Sequence, residues 1–178
     1  MILEKITIIE RNKFMSKTKR NLQDAFAGES QANRRYLAFA KKAEQEDYKQ
    51  VAKLFRAVAE AETFHAHNHL RELGGIKSTK ENLDKTINGE SYEFQKIYPQ
   101  MIEDAKTEGK KAAEISFRYA NEVEKVHAEL YKTALDNIGN NSEVDYYVCR
   151  VCGYIAAGEL PYVCPVCKAK KQLFKKID

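Results

Sequence analysis

The sequence predicts a mainly α protein, a four-helix bundle with a small cysteine-bearing module behind it. Three observations predict this. Apolar residues recur in alternating steps of four and three along four stretches between residues 18 and 139. Three prolines, eight glycines, no tryptophan and 31% charged residues in 178 favour long helices over a turn-rich β protein. Beyond residue 145 the chain changes from Ala, Glu and Lys to Tyr, Val, Cys, Gly and Pro, and all four cysteines lie there. At 43% hydrophobic, the length suffices for one core plus a small module.

Residues 1–14 precede a natural start at Met15-Ser16 and are an extension to which the sequence assigns no role. Helix one is expected over about 18–46, with a seam through Leu22, Phe26, Glu29, Asn33, Tyr36 and Ala40. Helix two, about 48–73, repeats the spacing with Val51, Phe55, Val58, Glu62, His65 and His69 and stops at Gly74-Gly75. Helix three, about 79–107, carries Leu83, Ile87, Glu90, Phe94, Ile97 and Met101, and Pro99 should bend it by deleting a backbone donor. Helix four, about 110–138, carries Ala113, Phe117, Ala120, Glu124, His127, Tyr131 and Ala134 before Gly139. The domains read as a bundle over 15–139, a polar linker over 140–145 and a second module over 146–178.

The formal charge of +4 is small and lysines interleave with glutamates, so no nucleic-acid partner is expected. No apolar run approaches the roughly 18 residues of a membrane span, and Glu4, Lys5 and Glu10 interrupt any signal peptide. A cytoplasmic location is expected, where disulfides are disfavoured.

Glu29, Glu62, Glu90 and Glu124 occupy seam positions otherwise filled by Leu, Phe, Val and Ala, and Glu93 lies one turn from Glu90. A buried, ionised carboxylate costs several kcal/mol, and several together would cancel a stability of about 5–15 kcal/mol. No lysine or arginine lies on these seams, so the counter-charge is expected to be metal ions. Glu62 with His65, and Glu124 with His127, form two E-x-x-H pairs whose i, i+3 spacing projects carboxylate and imidazole to one side of a helix. With single glutamates on the other two helices this is the ligand set of a ferritin-like, carboxylate-bridged dimetal bundle. The chain is quasi-repeated, Glu29 preceding Glu62 by 33 residues and Glu93 preceding Glu124 by 31. His67 points away from His65 and reads as surface. His69 shares the face of His65, but without the glutamate of H-E-x-x-H it belongs to the core or behind the ligands. Asn33, Tyr36 and Tyr98 are the polar seam residues nearest the glutamates.

Residues 149–167 place Cys149, Cys152, Cys164 and Cys167 in two C-x-x-C pairs, a tetrahedral sulfur site for structural zinc or a single iron. The segments CxxCGY and CPVCKA resemble the two knuckles of rubredoxin, a one-iron electron carrier. AFAGESQANRRY, AETFHA, NGESYEFQKIYP and the second E-x-x-H resemble rubrerythrin, a family joining a diiron bundle to a rubredoxin module. The likeness covers nearly everything from Met15 onward.

The resemblance implies two non-haem irons held by Glu29, Glu62, His65, Glu90, Glu93, Glu124 and His127, with Glu62 and Glu124 bridging. It implies that one iron exchanges His65 for Glu90 on oxidation. It further implies a third iron on the four cysteines, with zinc as a substitute. The implied activity is reduction of hydrogen peroxide in oxidative-stress defence, with Tyr36 and Tyr98 hydrogen-bonding ligands or peroxide. Electrons would come from rubredoxin or an NAD(P)H-dependent reductase, and the assembly would be a homodimer, antiparallel and domain-swapped in one variant, or a higher oligomer. One rival reading is a ferritin-like ferroxidase, whose cage-forming fifth helix is replaced here by the cysteine module. The other is a zinc-bearing binding scaffold, which would be colourless.

Overall fold

The computed structural model describes residues 16–178, and the extension over 1–14 lies outside the described residues. The chain divides after Lys77 into two compact units.

The first unit is a helical hairpin, α1 (Lys17–Gln45) and α2 (Lys49–Glu72). Ser16 caps α1 by accepting the Lys19 N–H at 3.2 Å. After α1 the backbone turns left-handed at Asp47 (φ 61°), and the Tyr48 N–H closes on the Ala43 carbonyl at 2.8 Å. After α2 the same reversal uses Gly74 (φ 62°), with the Gly75 N–H on the Leu70 carbonyl at 2.9 Å, a Schellman stop that satisfies carbonyls the helix leaves open.

The buried faces are small. Ala52, Ala59 and Ala66 recur every seventh residue on α2, and Ala32, Ala40 and Ala43 are buried on α1. Such side chains let two helices approach closely. Asn33 stitches the pair, its Nδ2 donating to the Ala59 carbonyl at 2.6 Å and to Thr63 Oγ1 at 2.8 Å. The hairpin thus closes through an alanine stripe beside the predicted seam, while the large apolar residues Phe39, Val51, Leu54 and Phe64 stay exposed.

The second unit holds α3 (Thr79–Tyr92), a π-helical turn (Glu93–Ile97), α4 (Tyr98–Thr107), α5 (Lys111–Asp136) and a three-stranded sheet. Ser78 and Glu81 form a reciprocal capping box at the start of α3. The predicted third helix is therefore interrupted at Glu93–Ile97, just ahead of Pro99. A proline inside a helix lacks its donor and presses on the carbonyl four residues back. The π turn absorbs that conflict, the Tyr98 N–H reaching five residues back to the Glu93 carbonyl.

In the sheet, β1 (Tyr146–Cys149) lies between β2 (Ile155–Ala157) and β3 (Phe174–Ile177), antiparallel to both. Cys149 ends β1 opposite Phe174. The two cysteine knuckles are built alike: the Cys149 N–H reaches the Tyr154 carbonyl and the Cys164 N–H the Ala169 carbonyl, each at 2.8 Å. The residue after each pair, Gly153 (φ 86°) or Lys168 (φ 63°), is left-handed.

Candidate metal centres

Each unit carries one cluster of carboxylates and an imidazole. In the first, Glu29 of α1 meets Glu62 and His65 of α2, one ligand atom from each lying within 4.8 Å of the others. In the second, Glu90 of α3 meets Glu124 and His127 of α5 within the same limit. Both E-x-x-H pairs adopt one geometry, imidazole Nδ1 to carboxylate Oε2 at 2.8 Å. The i, i+3 spacing produces it, since both side chains lean over the same turn.

The second cluster is the more crowded. Burial, a hydrogen bond with Glu124 and the charges of Glu124 and Glu93 push the Glu90 carboxyl up to about 8. Burial and the Glu124 charge also raise Glu93, with His127 pulling the other way. Burial raises the Tyr98 phenol, and Glu124, Glu93 and Glu90 reinforce it, so its ring stands within the field of all three carboxylates. Glu93 is outside the three-residue cluster but is coupled to it through Glu124 and His127.

His127 also reaches the cysteine module. Its Nε2 lies 3.4 Å from the Gly153 carbonyl, which can only accept, so Nε2 carries the proton. Nδ1 then presents a lone pair to a carboxylate oxygen 2.8 Å away. Two lone pairs at that separation repel unless a proton or a cation lies between them. The cluster therefore fits a metal ion on the chemistry of its donors.

The four thiols fit one as well. The Sγ atoms of Cys149 and Cys167 are 3.6 Å apart and those of Cys152 and Cys164 3.5 Å. A disulfide needs about 2.05 Å, whereas a tetrahedron with metal–sulfur bonds of about 2.3 Å has edges of about 3.8 Å. Burial raises the Cys152 and Cys167 thiols. At Cys149 burial is outweighed by the backbone N–H groups of Cys152 and Val151, and the thiol is lowered.

Among the other predicted residues, Tyr36 packs its ring against Phe55 and Phe39 in the hairpin. His67 is exposed and His69 half-buried. Asn33, singled out as a polar seam residue, bonds to Thr63, the neighbour of Glu62. The Gly153 carbonyl was missed, because main-chain groups leave no signal in residue types.

Comparison with known proteins gives the family. A family model described as Rubrerythrin matches residues 20–135, and one described as Rubrerythrin, rubredoxin-like domain, matches residues 147–175. The chain belongs to the rubrerythrin family. Rubrerythrin-2 of Clostridium acetobutylicum is 36% identical over 171 residues, spanning 86% of this chain and 93% of its own. Nigerythrin of Nitratidesulfovibrio vulgaris is 36% identical over 171 residues, spanning 88% and 85%. A solved structure of nigerythrin in its fully reduced, all-ferrous state covers 99% of this chain and 92% of its own at 33% identity, with a TM-score of 0.56.

As a rubrerythrin, the chain is a ferritin-like diiron protein with a rubredoxin-like domain, an oxidoreductase of oxidative-stress defence. Its cofactors are a carboxylate-bridged diiron site and a single iron on four cysteines, where zinc can substitute. Among the described residues, no helix is long and apolar enough to cross a membrane.

Proposed function

We propose that this protein is a hydrogen peroxide reductase whose electrons arrive one at a time through the cysteine-bound iron. Each turnover takes peroxide, two electrons and two protons to two waters. When bound, an iron pair supplies two one-electron equivalents and Lewis acidity toward the separating oxygens. We assign the bundle to residues 15–139 and the electron-carrying module to 146–178, joined by 140–145. The ligand set is Glu29, Glu62 and His65 together with Glu90, Glu93, Glu124 and His127.

The observation that carries this reading is the hydrogen bond from His127 to the Gly153 carbonyl. Gly153 directly follows Cys152, so one short run of bonds joins a thiolate ligand to an imidazole of the carboxylate cluster. An electron carrier wired to its acceptor suits a turnover enzyme that must be re-reduced, and it has no evident use in iron storage.

The chain's residues have distinct tasks. His127, held by Gly153, keeps its Nδ1 lone pair aimed at the cluster. Tyr98 keeps its phenolic proton, because burial and three carboxylates disfavour the phenolate, and it donates a hydrogen bond to the reacting oxygens. Tyr36 is assigned a hydrogen-bonding role of the same kind, although its ring packs on Phe39 and Phe55. Glu90 and His65 are interchangeable ligands, the anion suiting the more oxidised site and the neutral imidazole the reduced one. Rubredoxin or an NAD(P)H-dependent reductase supplies the electrons, and the working assembly is a homodimer.

Anaerobic peroxide consumption with reduced methyl viologen tests the reading. Glu62→Ala should lose the diiron signal and peroxide turnover while keeping the visible band of ferric tetrathiolate. Full turnover in that variant, or ferrous uptake into a mineral without peroxide reduction in the wild type, would contradict it.

A further inference from the structure

The chain's formal charge of +4 is unevenly placed. Residues 146–178 hold six lysines and arginines against two acidic residues, while residues 1–145 balance at 24 of each. The whole excess therefore sits on the module that carries the tetrathiolate. Four thiolates with ferric iron sum to −1 and with ferrous iron to −2, so the cations reverse the sign of a surface that would otherwise be anionic.

Backbone bonds set these cations at fixed places. The Arg150 N–H, inside the first knuckle, bonds to the Leu173 carbonyl at 2.8 Å. The Lys171 N–H bonds to the Tyr162 carbonyl at 3.1 Å, and Lys170 is bridged to Val163, next to Cys164. Lys168, immediately after Cys167, is left-handed where the matching residue of the first knuckle is glycine. That conformation costs a side-chain-bearing residue about 1–2 kcal/mol.

Among the described residues, Lys176 holds Asp145 at 2.8 Å, whereas Arg150, Lys168, Lys170 and Lys171 have no carboxylate within ion-pair distance. Large apolar side chains stand open among them. Tyr162 is 80% exposed and Val151, between Cys149 and Cys152, is 54% exposed. Exposed apolar side chains next to unpaired cations, on the module that carries the cysteines, have the composition of a transient interface, apolar groups bordered by charge.

We propose that this surface docks an acidic electron-transfer protein. The inference rests on the reading that the cysteine-bound iron carries electrons, and it adds the chemistry of the donor. The donor's reduced cofactor gives up one electron, ferric iron becomes ferrous, and no bond is made or broken. Lysine–carboxylate attraction steers the encounter and fades once salt shortens the screening length below about 10 Å.

The probe is an acidic flavodoxin, added as its hydroquinone to oxidised full-length protein in a stopped-flow instrument while the tetrathiolate band bleaches. The same flavodoxin, oxidised, is titrated calorimetrically. Rate and affinity should fall steeply with salt. At low salt K170E/K171E should lower both about tenfold or more, whereas K41E/K53E, the same charge change on exposed lysines of the helical hairpin, should change them less than twofold. Equal losses in both variants, or none in K170E/K171E, would overturn the proposal. Tighter binding of a duplex oligonucleotide than of flavodoxin at equal salt would overturn it too. Peroxide turnover with reduced methyl viologen separates the two readings: its absence from the wild type refutes the peroxidase, whereas its retention in K170E/K171E leaves the docking result to stand or fall alone.

Discussion

The two E-x-x-H clusters are alike in sequence and in local geometry, yet they sit in different surroundings. Both hold imidazole Nδ1 2.8 Å from a carboxylate oxygen. The His65 side chain is 57% exposed and bonds to Glu62 of its own helix, whereas His127 is 22% exposed and is also tied to the Gly153 carbonyl. Around Glu124 stand Glu90 of α3 together with Glu93 and Tyr98, which open and follow a π-helical turn that has no counterpart in the α1–α2 hairpin. A four-residue motif therefore fixes which atoms meet, and its neighbours decide whether a ligand is held or can leave. On the proposed function, His65 would be the ligand free to exchange and His127 the one kept in place.

The bluntest way to break this comparison is to remove the shared element. Glu124→Ala should abolish diiron binding and reduce peroxide turnover to background, as Glu62→Ala should, with the tetrathiolate band unchanged in both. Should either variant keep both bundle irons by metal analysis, the proposed ligand set is contradicted.

Histidine replacement sharpens the contrast. His127→Ala should lower iron affinity or turnover by at least the roughly 10–100-fold that loss of an outer partner of a ligand costs, since it removes the proposed ligand itself, and it should also slow reoxidation of the ferrous tetrathiolate by peroxide. His65→Ala should cost less and leave that reoxidation rate near normal. Equal effects on it would contradict the assignment of His127 as the wired ligand.

The smallest effect is a pH dependence confined to the second cluster. In the metal-free protein the Glu90 carboxyl titrates near 8, above its ordinary 4.5. Between these values the folded state binds more protons than the unfolded one, so stability must fall as pH rises through that window and level off above it. The metal-free Tm should drop between pH 5 and 8, and Glu90→Gln should flatten the drop. A metal-free Tm that rises over this range would contradict the crowding of the second cluster.

Much of this was legible in residue types alone. The seam glutamates and both E-x-x-H pairs stand out because an acid in an apolar stripe needs a reason, and a three-residue interval on a helix has only one geometry. Paired C-x-x-C knuckles are legible for the same cause. The π turn was not, since Pro99 announces a disturbance without saying that the helix yields ahead of it. Nor were the alanine stripes, because periodicity marks where large apolar residues lie and α1 and α2 close through small ones. The Gly153 carbonyl was out of reach, since it depends on where the sheet sets a main-chain group beside α5.

Beneath the whole account lies the claim that the inward carboxylates are tolerated because they grip cations. Anaerobic calorimetric titration of the metal-free protein with ferrous ion, its cysteine site first filled with zinc, tests that claim directly. The account predicts two further ions per chain, protons released on binding below pH 8, and a higher Tm of the loaded protein. Absence of binding beyond the cysteine site, with Tm unmoved, would contradict it.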